Sequence, residues 1–154
     1  MSTVTRTTRV CTIETLNEDL KSAIRAHGAK YGLDDIESNV LMCCETTSIS
    51  RKTGLFGGIK TSSSAVFVTS KWLVWAESSG LKDAGAGSAQ LKHIDVRDYQ
   101  TTASYAISPD QGINVTGRYT DRNRTGMTFI VLSSEPDGEQ FRQVLKSAMK
   151  KTLN

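Results

Sequence analysis

Two histidines, His27 and His93, and three cysteines, Cys11, Cys43 and Cys44, are the side chains here best suited to acid–base, nucleophilic or soft-metal chemistry. Their spacing serves none of these well. His93-Ile-Asp95-Val-Arg97 puts a histidine, a carboxylate and a guanidinium on one strand face at i, i+2 and i+4, the layout of a general base oriented by an acid. A solvated strand face laced with charges is spelled the same way and is far commoner. His27 falls at the end of a helical pattern, where capping or half-burial is the ordinary role. No Cys-x-x-Cys or His-x-x-x-His spacing occurs, so no zinc site is legible. Neighbours Cys43 and Cys44 point to opposite faces of a strand and would not meet. The three thiols therefore read as small hydrophobes in a reducing compartment.

Phosphate chemistry fares no better. Gly80-Leu-Lys-Asp-Ala-Gly85-Ala-Gly87-Ser88 has glycines, but the lysine of a P-loop is missing after Gly85 and no strand–turn–helix follows. The stretch 78–88 reads as a flexible loop. With no catalytic, metal or cofactor constellation, the expectation is a protein that is not an enzyme and carries no cofactor.

A helical stripe opens the chain. Ile13, Leu16, Leu20, Ala23, Ile24 and His27 share one side, while Glu14, Asn17, Glu18, Lys21 and Arg25 take the other, with Gly28 and Gly32 as terminators. From Val40 the character changes. Strands are predicted at 40–50, 63–69, 72–77, 89–98, 102–107, 112–119 and 126–133, rich in β-branched and aromatic residues and separated by turn chemistry. A closing helix is marked by Phe141, Val144, Leu145, Ala148 and Met149, after a capping-box-like Ser134-Glu-Pro-Asp137. About seven strands without interposed helices imply an antiparallel barrel or sandwich of the α+β, mainly β, class. The expected divisions are a flexible N-terminus at 1–12, a helical extension at 13–39 and a barrel with its helix at 40–154.

One strand poses a question. Trp72-Leu73-Val74-Trp75-Ala76 is apolar at every position, so both of its faces need cover. The barrel interior takes one face; the stripe of Ile13, Leu16, Leu20 and Ile24 is the nearest lid for the other, and a second subunit the alternative. Gly126-Met-Thr-Phe-Ile-Val-Leu132 is similarly apolar on both sides, which leaves room for self-association.

Residues 40–152 resemble a pleckstrin-homology-like domain, in particular the bacterial branch and the GRAM-like members. VFVTSKWLVWAE is similar to the V-T-x-x-R-hydrophobic hairpin of that branch, with Thr69, Ser70 and Lys71 in the turn. LKHIDVRDYQ resembles the strand that follows, with Ile94 pointing inward, and EQFRQVLKSAMK the helix that plugs the barrel. The resemblance implies two orthogonal sheets of four and three strands, with Phe141, Leu145 and Met149 in the open end. It also implies a candidate anionic-ligand site at Arg51, Lys52, Lys60 and Lys71, around Leu55 and Phe56 as membrane or partner contacts. The departure is at Lys60: lipid-binding members carry a closely spaced basic pair where this chain has Thr-Ser-Ser-Ser.

Composition narrows the partners. A net charge of +3 is too thin for a dedicated nucleic-acid binder, whose contact here would have to be Arg118, Tyr119, Arg122 and Arg124 on one hairpin. The longest apolar runs span about five residues against the roughly 20 of a transmembrane helix, and the start has no apolar signal core. The leading expectation is thus a cytoplasmic binding module acting through protein–protein contact or homo-oligomerisation. The alternative is weak binding of anionic lipid headgroups, peripheral at a membrane.

Overall fold

The structure, a computed structural model, describes residues 2–33, 35–78, 84–121 and 125–153. Eight strands pair antiparallel in two sheets: β1 (Ser2–Cys11), β2 (Val40–Lys52), β3 (Ile59–Thr69), β4 (Trp72–Ser78) and β5 (Gly85–Gln90) in that order, and β6 (Ile94–Asp98), β7 (Gly112–Arg118) and β8 (Thr125–Val131). Three helices accompany them: α1 (Glu18–Tyr31), the single turn α2 (Ser104–Ile107), and α3 (Pro136–Thr152).

The fully apolar strand is covered twice by its own chain. Leu73 pairs with Val68 and Trp75 with Val66 on the inner face, where Phe141, Leu145 and Ala148 of α3 join Ile113, Val115 and Ile130 of the second sheet. Val74 and Ala76, beside Phe67 and Ala65, face the other way, under Leu20 and Ile24 of α1 with Ile13 and Leu16 of the 3-10 turn before it. Each such side chain left in water would forgo about 1.5–3 kcal/mol, which is why α1 lies here. Trp75 also needs a flat neighbour: a Cβ on Gly87 of β5 would stand 2.7 Å from its indole, and its other side meets Tyr119 edge-on at 5.2 Å.

Several expectations are corrected. The segment 1–12 is not a flexible tail: Ser2–Cys11 is an edge strand paired residue for residue with β2. Its β-branched density favours extended backbone, but its inward Arg6 and Thr8 meet polar partners, so no apolar period announces it. Two antiparallel sheets are present as expected, but of five and three strands instead of four and three, and among the described residues they do not join into a closed barrel. The predicted strand 89–98 is broken by a 3-10 turn at Leu91–His93, where buried Leu91 donates its N–H to the Lys71 carbonyl and the chain passes to the second sheet. The predicted strand 102–107 is a 3-10 turn followed by α2. There the Asp98 carboxylate accepts from Gln100 N–H, while the Thr101 and Thr102 hydroxyls donate to nearby carbonyls, local bonds that compete with a ladder. Of the predicted flexible loop at 78–88, residues 79–83 lie outside the described residues, while Ser78 ends β4 and Gly85–Ser88 belong to β5.

The helix ends follow the same logic. Gly32 is the left-handed cap of α1 at φ +69°, whereas Gly28 stays inside the helix and accepts from Leu33 N–H. Lys21, expected on the wet side, is buried along its stem, and its Nζ donates to the Glu14 carbonyl. At α3 the capping box does not form: Glu135 is the N-cap without a side-chain bond, and Asp137 instead accepts from Val10 N–H of β1. Among the described residues no helix is long and apolar enough to cross a membrane.

Candidate functional site

The β2–β3 hairpin runs past the end of β4, with β1 paired along β2 as far as Lys52. Ser50 pairs with Lys60, Arg51 with Ile59, and Lys52 N–H donates to the Gly58 carbonyl to close the arm. Gly57 N–H then donates to the Gly54 carbonyl at 3.0 Å, so Gly54-Leu55-Phe56-Gly57 is a β-turn with Leu55 and Phe56 at its centre. Gly54 sits at φ +129°, and a Cβ on Gly57 would come within 2.2 Å of the Lys52 carbonyl oxygen. The two glycines thus force the two apolar side chains outward, and each is 95% exposed. Every residue from 51 to 61 is exposed.

Basic groups flank both faces of this tip. Lys60 lies opposite Ser50, and Lys52, two residues on, shares that face; Arg51 takes the other with Ile59, itself 67% exposed. None of the three is ion-paired with a described residue. Arg6 of β1 is different: its guanidinium binds both oxygens of Asp110 at 2.7 and 2.8 Å and donates to Ser48, so its charge is spent at the arm's base. Beside that pair lies a cleft of about 500 Å³, walled by Val4, Tyr105 and Pro109.

Lys71 does not belong to the group. It follows the far end of β3, and eleven residues at about 3.3 Å each put roughly 35 Å between it and the tip. Its Nζ lies 5.8 Å over the Trp72 ring. The hairpin turn it occupies is held by Thr69, whose hydroxyl accepts from the Lys71 and Trp72 N–H groups.

The residues weighed for catalysis are dispersed. Asp95 and Arg97 form an exposed ion pair at 3.2 Å, while His93 lies in the preceding 3-10 turn. His27 is buried, not half-buried, within α1; its Nε2 is 2.8 Å from Ser88 Oγ, which donates to Thr120 Oγ1 at 2.7 Å. Burial lowers its pKa, with Asp121 opposing and Lys30 assisting. Among the described residues no three His, Cys, Asp or Glu side chains gather as metal ligands. Of the proposed nucleic-acid hairpin, Arg122 and Arg124 lie outside the described residues, and Tyr119 is buried with its hydroxyl donating to the Val115 carbonyl.

Sequence reasoning missed one arrangement altogether. Cys11 faces Cys43 directly across β1 and β2, with the sulfurs 3.6 Å apart. Nothing in the spacing signals it, because the pairing depends on a strand that has no apolar period.

Comparison with family models, with curated proteins and with solved structures finds no match.

Proposed function

We propose that the chain is a non-enzymatic binding module of pleckstrin-homology-like organisation that docks on anionic membrane surfaces through the tip of the β2–β3 arm. The observation that carries this is the outward Leu55–Phe56 pair inside a collar of Arg51, Lys52 and Lys60, none of them ion-paired with a described residue. Setting aside β1 and α1 leaves four strands, then three, then a closing helix, an order that supports the family resemblance. The apolar faces of β4, which first suggested a partner protein, are already covered internally, and this shifts the weight towards the tip.

Magnitudes set the expected strength. Three basic side chains at about 1 kcal/mol each give about 3 kcal/mol. Partial burial of Leu55 and Phe56 adds about 2–3 kcal/mol. The sum, about 5–6 kcal/mol, falls between millimolar and micromolar affinity. A single copy binds weakly, and tight attachment requires several copies on one surface.

Sedimentation with vesicles rich in anionic lipid tests the reading at low salt. Wild type is expected to pellet, and the Lys52→Glu, Lys60→Glu double variant to stay in solution. Failure of wild type to pellet, or equal pelleting of both, would end it.

A second reading rests on a separate observation. Opposite the β8 face that carries buried Ile130, Met127 is 70% exposed on the same strand face as Phe129, whose ring meets Tyr99 at 4.9 Å. That face suits self-association, and light scattering on the pure protein across concentration distinguishes a dimer from a strict monomer.

A further inference from the structure

We propose that Cys11 and Cys43 are a reversible redox site, in which a low-molecular-weight disulfide such as oxidised glutathione converts the facing thiols into a cross-strand disulfide. Their positions are registered opposite each other on β1 and β2, and the sulfurs stand 3.6 Å apart, within reach of a bond of about 2.05 Å by side-chain rotation. Cys43 is buried, while Cys11 is partly exposed and both line a cleft of about 520 Å³ with Val10, Leu41 and Val144. A small disulfide therefore reaches Cys11 first. Cys44, the chain neighbour, points to the opposite face, its sulfur 4.0 Å from the Asp137 carbonyl, and takes no part.

The chemistry has a natural order. The hydrogen bond from Cys43, with Arg9 nearby, lowers the pKa of Cys11 against its partial burial and the Glu45 charge. Cys43 is held protonated by that same bond and by burial, and Cys44 is pushed up to about 12, chiefly by burial. Cys11 thiolate attacks one sulfur of oxidised glutathione, breaks its S–S bond and releases one glutathione thiolate, which takes up a proton. Capping Cys11 removes the charge that kept Cys43 protonated. Cys43 then attacks the Cys11 sulfur, forms the cross-strand bond and releases the second glutathione, to which its proton passes. One disulfide is consumed, one is formed, and two glutathione thiols leave.

Reversibility follows from the register. Directly opposed strand residues hold their Cβ atoms about 4.5–5.5 Å apart, wider than the mean of about 3.8 Å across a disulfide. A bond made there is strained and more easily reduced than a structural one. Once formed it ties β1 to β2 around the loop that contains α1.

The test is equilibration of the folded chain in graded mixtures of oxidised and reduced glutathione, followed by acid quench, alkylation and peptide mapping. A Cys11–Cys43 peptide should accumulate as the oxidised fraction rises, and excess reductant should reverse it. Titratable thiols in the denatured, oxidised protein should fall from three to one, the survivor being Cys44. Cys44→Ala should leave the cross-link and its midpoint unchanged, while Cys43→Ser should stop at a glutathione adduct on Cys11. Circular dichroism of each variant shows that it is folded. A dominant link involving Cys44, a stable adduct on Cys11 in wild type, or no reaction in folded protein under conditions that oxidise the urea-unfolded chain would overturn the proposal.

Discussion

His27 shows how a residue suited to catalysis is used for packing. Its ring nitrogen meets Ser88 at 2.8 Å, Ser88 passes the chain on to Thr120, and the three join α1, β5 and the residues just after β7. Burial favours the neutral ring, so the folded pKa lies below the ordinary 6.5. The unfolded state then binds the extra proton first as pH falls. The stabilisation is whole above 6.5 and is lost as pH drops from 6.5 through the lowered folded value. Urea denaturation above and below pH 6.5 should show wild type weakening on the acid side, with the slope reduced in His27→Gln. An unchanged slope in the variant would assign the acid sensitivity elsewhere. Arg6 makes a second residue-scale case. Arg6→Ala removes a bidentate, partly buried ion pair that ties the arm's base to the loop before β7, and should cost about 1.5–3 kcal/mol in the same assay. Arg6→Lys should recover only part of it, since a lysine cannot grip both oxygens of Asp110.

At the scale of elements, α1 and β1 are integral to the first sheet. Phe67 and Val74 are fully buried beneath α1, and β1 shields the long edge of β2. A chain begun at Val40 should therefore aggregate or lose cooperative unfolding, although the resemblance suggests a unit starting there; a soluble monomer with a sharp transition would show the extension to be separate. More locally, Leu20→Ala empties a fully buried site and should lower stability by about 2–5 kcal/mol, read as a lower urea midpoint at unchanged slope. Helices α1 and α3 were legible because their apolar stripes repeat at helical spacing. The core strands were legible because Val66, Phe67, Val68, Leu73 and Val74 leave few other readings. β1 was not, since Arg6 and Thr8 face inward to Asp110 and Thr46 and break the alternation that burial normally writes. The 3-10 turn and α2 after Asp98 escaped for a related reason: threonine favours strands on average, but here its hydroxyls bond locally. Of the candidate anionic-ligand site, Arg51, Lys52 and Lys60 could be grouped by hairpin logic, whereas placing Lys71 required the length of β3.

At the scale of the whole molecule, basic side chains with no acidic partner among the described residues and almost fully exposed apolar side chains meet at the tip of the arm. The core lies between the sheets and under α1, away from it, so substitutions at the tip should alter binding without altering stability. Replacing Phe56 by tryptophan gives the most direct measurement of the claim. Fluorescence of Phe56→Trp, taken as the difference from wild type with its Trp72 and Trp75, is followed on adding vesicles with brominated acyl chains. The account predicts a blue shift and quenching with anionic vesicles, both reversed by salt, and neither with uncharged vesicles. A tryptophan at position 56 that stays in water while the protein pellets with those vesicles would contradict it.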